Sequence, residues 1–130
     1  MTYYIAKTVS KTFDSVVADV IARLKAQGFG VLSDIDVQAT LESKIGEVIR
    51  KYRILGACNP RFAYEALKIE DKLGVLLPCN VIVRETSDKR VEVAAVDPVS
   101  SMERTGNPAL RSTAEEVRSL ISKVVSAIGT

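Results

Sequence analysis

Three short segments combine residue types that can do chemistry, and each lies where a predicted strand ends. They are residues 56–60 (GACNP), residues 76–80 (LLPCN) and the pair Asp97 and Pro98. In the first segment Cys58 comes just before a predicted helix. The unpaired amides and the dipole of a helix N-terminus favour a thiolate or a bound anion. The segments therefore indicate a site for a small ligand that is anionic or thiol-reactive.

Positive charge surrounds the first of these segments. Between residues 44 and 64 the only acidic side chain is Glu47, and the basic ones are Lys44, Arg50, Lys51, Arg53 and Arg61. This is the most basic stretch of the chain, and it adds to the case for an anion near the helix start. We predict that the ligand-binding residues are Cys58, Asn59 and Arg61, with Cys79, Asn80 and Asp97 close by.

Each of these residues also has an explanation that needs no ligand. Cys58 could be a small buried hydrophobe, because free cysteine is among the most buried residue types. Cys79 shares the phase of Val81 and Val83, which places it on the apolar face of its strand and predicts a core residue. Asn59 fits a helix cap, and Asp97 before a proline fits a turn.

The chain contains no histidine, and this excludes several classes of enzyme. Imidazole is the usual general base and the commonest zinc ligand, so Ser-His-Asp and Cys-His catalysis are ruled out. Two cysteines alone cannot complete a structural zinc site, which takes four ligands. The sequence assigns no catalytic residues, no metal site and no cofactor.

Whether the two cysteines act together depends on how their strands pair. If the third and fourth strands are antiparallel neighbours, Cys58 and Cys79 converge; if the strands are parallel, the thiols lie at opposite ends of the sheet. Convergence allows a redox pair, or two soft ligands of a metal completed by Asp97 or water. A thiol-disulfide enzyme is the weaker hypothesis, since the chain has no C-x-x-C motif.

Charge and hydropathy bear on location and partners. Eighteen Lys and Arg against sixteen Asp and Glu give a net charge of +2, too little to favour nucleic acid. The first residues show no basic leader followed by an apolar run, so we expect a cytoplasmic protein with free thiols. The charge-free apolar stretch 73–83 contains Pro78 and is too short to span a membrane.

Hydrophobic spacing predicts the elements that position these segments. A helix with one apolar stripe begins after the N-cap Thr12 and stops at Gly28, and a second follows the N-cap Asp36, with Val37, Leu41 and Ile45 inward, up to Gly46. Predicted strands cover residues 3–9, 31–35 and 52–57, and a hairpin turns at residues 86–89. We predict a helix after Asn59, a loop over 99–106, and a last helix starting at Asn107 and Pro108.

Together these elements predict one α+β domain over residues 1–130. The order is β-α-β-α-β-α-β-β-α, with a single small, mostly antiparallel sheet and helices packed largely on one face. A length of 130 residues with 47% apolar side chains is enough for one core.

The sequence resembles a prokaryotic family known as domain of unknown function 302. The resemblance rests on residues 28–29 (GF), 35–37 (IDV), 54–60 (ILGACNP), 76–81 (LLPCNV) and 97–98 (DP), and it covers nearly the whole chain. It implies an α+β fold of one sheet with packed helices, a homodimer, and no established activity. Independently of the resemblance, a second hypothesis is a non-catalytic interaction or assembly domain, in which the three unusual segments are folding constraints and the surface function is self-association.

Overall fold

The fold is built on one five-stranded sheet. The computed structural model describes residues 2–130. Its strands are β1 (Tyr4–Val9), β2 (Gly30–Asp36), β3 (Tyr52–Cys58), β4 (Cys79–Ser87) and β5 (Arg90–Val96). They lie in the spatial order β1-β5-β4-β3-β2, and every neighbouring pair is antiparallel. The predicted antiparallel sheet is confirmed.

Five α-helices accompany the sheet in the described residues. They are α1 (Phe13–Ala26), α2 (Val37–Ile45), α3 (Pro60–Ile69), α4 (Pro98–Glu103) and α5 (Arg111–Ala127), and 3₁₀ turns lie at Leu73–Leu76 and Pro108–Leu110. No helix within residues 2–130 combines the length and the apolar character needed to cross a membrane. The predicted α+β class is correct, with α4 as an additional element.

The main core lies between one face of the sheet and the helices α1 and α5. Strands β4 and β5 alternate, so that Val81, Val83, Val91 and Val93 are each at most 1% exposed. These side chains pack in one cluster with the apolar stripes of α1 and α5. When helices cover only one face of an antiparallel sheet, apolar and polar residues alternate along its strands. This alternation is why the hairpin could be predicted from the sequence.

Helix α1 begins and ends where the sequence predicts. The Thr12 hydroxyl oxygen accepts a hydrogen bond from the Ser15 amide at 3.3 Å, so it caps the helix. Gly28 follows the last turn with φ +87°, a conformation that glycine adopts without strain. Both predicted boundary residues are confirmed.

Helix α2 has the predicted bounds but not the predicted packing. Asp36 caps it by accepting from the Ala39 amide, and Gly46 ends it in the left-handed conformation. Of the three residues predicted to face inward, Val37 and Leu41 are half-buried, but Ile45 is 66% exposed and the helix has no buried residue. The prediction of an inward face was wrong for Ile45, since helical spacing shows that an apolar stripe exists but not that another element covers all of it.

The predicted loop over 99–106 is also wrong for its first part, because α4 occupies residues 98–103. Asp97 is its N-cap and Pro98 its first residue, the same pattern that correctly predicted α3. The last α-helix starts at Arg111, preceded by the 3₁₀ turn that Asn107 caps by accepting from the Ala109 amide. The predicted start at Asn107 thus marks the turn and not the α-helix.

The second face of the sheet, which we call the open face, is not part of this core. Its central side chains are apolar: Tyr4, Tyr52, Ile54, Ile82 and Ala94. None of them is buried, and Tyr4 is 42% exposed. The ion pair between Arg84 and Glu92 lies on the same face at 2.7 Å. A shallow groove of about 640 Å³ runs along it.

Candidate functional site

Cys58 and Asn59 lie at the junction of β3 and α3. Cys58 is the last residue of the strand and is half-buried. Asn59 occupies the N-cap position with extended backbone angles, and Pro60 is the first helical residue. Proline fits there because its missing amide would have had no partner inside the helix. The predicted position of Cys58, just before a helix N-terminus, is correct.

The Asn59 side chain does not cap α3. Its Nδ2 atom instead donates to the carbonyl oxygen of Gln27 at 3.4 Å, at the end of α1. The predicted capping role was therefore wrong, because a tertiary partner holds the amide away from the helix. The first turn of α3 has no side-chain cap, and its N-terminus stays open beside Cys58.

Gly28 makes this junction possible. A Cβ atom at that position would lie 3.1 Å from Nδ2 of Asn59, and the residue also has positive φ. Glycine is thus required twice, by its backbone conformation and by the close approach of α3. The ends of α1 and α3 are held together at this point.

Cys79 lies next to this junction because the strands that carry the cysteines are antiparallel neighbours. Ala57 of β3 pairs directly with Cys79 of β4, and Cys58 is the residue after Ala57 in β3. Cys79 is only 8% exposed, which confirms its prediction as a core residue. Burial, with a smaller contribution from the charge of Cys58, raises the pKa of the Cys79 thiol from 9.0 to about 11. Cys79 is therefore a neutral thiol at physiological pH.

Both cysteines line one cavity of about 310 Å³. Its walls come from the ends of β3 and β4, from α3, and from the helices α4 and α5. Carbon atoms dominate these walls, and the volume is at the lower end of the range for small-molecule sites. The remaining lining is mainly Phe29, Leu32, Phe62, Ala63, Ala66, Leu67, Leu77, Met102 and Val117.

The structure separates the six predicted site residues into two groups. Cys58, Asn59 and Cys79 line the cavity, whereas Arg61, Asn80 and Asp97 do not. Arg61 is exposed on the first turn of α3. Asn80 lines the groove on the open face, since successive residues of a strand point to opposite sides.

Asp97 has a structural role of its own. It is 4% exposed, and its Oδ1 accepts from the Val99 amide at 2.9 Å and from the Ser100 amide at 3.4 Å. Its Oδ2 accepts from Nε of Arg118 in α5 at 2.9 Å. Asp97 thus caps α4 and ties it to α5, away from the cavity lining.

Sequence reasoning missed the contribution of Met102. This residue is 6% exposed and enters the cavity wall from α4. A signal was present, because the sequence of Asp97 and Pro98 matches the helix-start pattern that was recognised at Asn59 and Pro60. Among residues 2–130 no group of three or more His, Cys, Asp or Glu side chains could hold a metal ion.

Comparison with known proteins gives a family and a fold. A family model described as "Domain of unknown function DUF302" matches residues 5–128. The crystal structure of an uncharacterized conserved protein DUF302 from Bacillus stearothermophilus is similar, with a TM-score of 0.91 and 23% sequence identity over 98% of this chain and 99% of that chain. No curated protein matches. At this identity the structural likeness bears on the fold alone.

Proposed function

This chain belongs to the DUF302 family, and we propose that it is a binding module for a small, largely apolar ligand that contacts the Cys58 thiol. The family name assigns no activity, and the proposal is based on the cavity. The observation that carries the proposal is the carbon-walled cavity of about 310 Å³ into which both cysteines open. The two thiols stay free in a reducing compartment, which we take to be the cytoplasm.

The lining favours a thiol-reactive ligand over an anionic one. The nearest predicted cation, Arg61, lies outside the cavity, and no other Lys or Arg lines it. An anion placed among carbon atoms would lose its hydration without gaining a partner. An apolar molecule instead gains about 25 cal/mol for each Å² of apolar surface that leaves water. The half-buried Cys58 is the thiol such a ligand would meet, since Cys79 stays protonated.

The alkylation chemistry of Cys58 tests this proposal. For each reagent, the rate with Cys58 is divided by its rate with free N-acetylcysteine. We expect this relative rate to be about 10- to 100-fold higher for N-phenylmaleimide than for iodoacetate, because burying a phenyl ring contributes about 1.5–3 kcal/mol. In the first reaction sulfur adds to the maleimide double bond and water supplies a proton; in the second a C–S bond forms and iodide leaves. Peptide mass mapping identifies the modified residue and gives its rate.

Two substitutions on α3 provide a matched control. Ala63 lines the cavity, so Ala63→Leu fills part of it and reduces the preference for N-phenylmaleimide. Glu65 is exposed on the same helix and outside the lining, so Glu65→Leu leaves the preference unchanged. The proposal is contradicted if Cys58 prefers N-phenylmaleimide no more than N-acetylcysteine does. It is also contradicted if Ala63→Leu leaves that preference unchanged.

A second candidate function is self-association through the open face, supported by its unburied apolar side chains. Two copies stacked face to face would bury Tyr4, Tyr52 and Ile82, and each Arg84 could meet a Glu92 of the other copy. We expect a dimer by light scattering at micromolar concentration and a monomer for Ile82→Glu. Ala18→Glu, on the exposed side of α1, is the matched control that leaves the dimer intact. A wild-type monomer contradicts this candidate.

A further inference from the structure

One face of α3 forms a long wall of the cavity. Asn59 at its N-cap and Phe62, Ala63, Ala66 and Leu67 all line the cavity. Their spacing of three and four residues places them in one stripe along the helix. Eight residue steps separate the first from the last, which is about 12 Å at the helical rise of about 1.5 Å per residue. The cavity therefore extends along α3 for about 12 Å.

The cavity also joins two separate parts of the apolar interior. Ala57 and Val117 belong to the main core. Ala66 and Met102 belong to a second, smaller apolar cluster, which is formed by α3, α4, α5 and the two 3₁₀ turns. All four residues line the cavity. The cavity thus runs from one cluster to the other, which supports an elongated shape.

The cavity is narrow for its length. A volume of about 310 Å³ spread over about 12 Å leaves a mean width of about 5 Å. Carbon atoms in contact lie about 3.5–4.0 Å apart, so this width accepts a single unbranched carbon chain. A branched chain or a puckered saturated ring is thicker than such a chain and thicker than a flat phenyl ring.

Asn59 marks the polar end of the cavity. Its Nδ2 donates to Gln27, and within residues 2–130 its side-chain oxygen accepts no hydrogen bond. Leu32 lines the cavity from the adjoining end of β2 and is 70% exposed, so the cavity reaches solvent near this point. A ligand hydroxyl at this end can donate to the Asn59 oxygen or to water.

Resting on the proposed function of this cavity as a site for an apolar ligand, we propose that its ligand class is the uncharged, unbranched aliphatic chain of about ten carbons with a terminal hydroxyl. A fully extended chain advances about 1.2 Å per bond, so about ten bonds span the length of about 12 Å. The hydroxyl lies beside Asn59, and the last carbons lie in the second cluster beside Ala66 and Met102. A charged end group is disfavoured, because no Lys or Arg lines the cavity.

Isothermal titration calorimetry with 1-alkanols tests the proposal, because these probes bind without reacting with a thiol. From 1-hexanol to 1-decanol we expect the Kd to fall about fourfold for each added methylene, the effect of removing one CH₂ group from water. From 1-decanol to 1-undecanol the Kd should change by less than about twofold, since the added carbon lies beyond the lined length. Cyclooctanol should bind at least about tenfold more weakly than 1-octanol, because the thicker ring must force the walls apart.

Substitutions at two depths along α3 locate the chain in the cavity. Ala63→Leu fills the cavity about 6 Å from Asn59, and Ala66→Leu fills it about 4.5 Å further along. In Ala66→Leu the gain per methylene should stop before ten carbons, and in Ala63→Leu it should stop about four carbons earlier still. Glu65→Leu, outside the lining, should keep the natural profile. Thermal unfolding checks that each variant is folded, and the alkanol series on the natural chain decides where a variant is not.

The proposal is overturned if the affinity does not rise with chain length, or if cyclooctanol binds as tightly as 1-octanol. An unchanged length profile in both folded leucine variants, Ala63→Leu and Ala66→Leu, also overturns it. Its failure is distinguishable from that of the proposed function. A preference of Cys58 for N-phenylmaleimide without a length profile for the alkanols overturns the chain-shaped ligand alone. The expected length profile without that preference overturns the contact with the Cys58 thiol alone.

Discussion

Replacing Asp97 with alanine is expected to lower the free energy of unfolding by about 2–3 kcal/mol. Loss of an N-cap costs about 1 kcal/mol, and loss of a hydrogen bond between charged groups costs about 1.5–3 kcal/mol. The upper part of that range is reduced here, because the Arg118 side chain is 50% exposed and keeps part of its hydration. Urea unfolding of the natural chain and of Asp97→Ala measures the difference.

Two further variants separate the two roles of Asp97. Asp97→Asn keeps a carbonyl oxygen that can accept from the Val99 amide and loses only the ion pair, so it should cost less than Asp97→Ala. Arg118→Gln removes the other partner of the pair. Combined in a double-mutant cycle, Asp97→Asn and Arg118→Gln should show a positive coupling energy, since they share one interaction. A loss for Asp97→Ala of under about 0.5 kcal/mol, the usual range for neutral surface changes, contradicts this role.

This result would also bear on the cavity, since Asp97 positions the helix that carries Met102. Asp97 was predicted to lie at the ligand site, and the structure connects it to the cavity indirectly, through α4, which it caps, and through Arg118 of α5. The physical reason is local: an aspartate before a proline is a capping pattern, and its carboxylate oxygens are used by the backbone amides that follow.

The fold could be predicted where local signals and tertiary packing agree. The capped stripe of α1 and the alternating valines of β4 and β5 each indicate one structure, and both were correct. Helix α2 shows the limit, because its spacing predicts a helix correctly while Ile45 remains 66% exposed. A periodic pattern determines which residues share a face, but the partner of that face depends on chain topology.

The candidate site was predictable only in part, because its residues meet through strand pairing. Cys58 and Cys79 were identified from their segments, but their convergence depended on whether β3 and β4 run antiparallel, which no local signal decides. Asn59 has a capping residue type, and yet the carbonyl of Gln27, 32 residues earlier, holds its side chain. Met102 and Val117 reach the cavity from helices far along the chain; Asp97 and Pro98 signal the start of the helix that carries Met102, but no local pattern places either helix at the cavity.

The packing of Pro78 beside the cavity leads to a prediction for Gly56. A Cβ atom at this position would lie 2.8 Å from Cγ of Pro78 and would also overlap Oγ of Ser33. A proline ring has little freedom to move aside, so we expect Gly56→Ala to lower the free energy of unfolding by about 1–3 kcal/mol, the usual cost of overpacking. Urea unfolding provides the measurement.

The matched control is Gly30→Ala on the neighbouring strand, where a Cβ atom meets nothing within 4 Å. Alanine restricts the unfolded chain more than glycine does, so Gly30→Ala should leave stability unchanged or raise it by up to about 1 kcal/mol. Adding Ser33→Ala to Gly56→Ala removes the hydroxyl overlap but not the contact with Pro78, and should therefore restore only part of the loss. Equal effects of Gly56→Ala and Gly30→Ala would contradict the close approach of Pro78 to β3.

Because Pro78 also lines the cavity, its displacement in Gly56→Ala should reduce the preference of Cys58 for N-phenylmaleimide. Gly30→Ala should leave this preference unchanged.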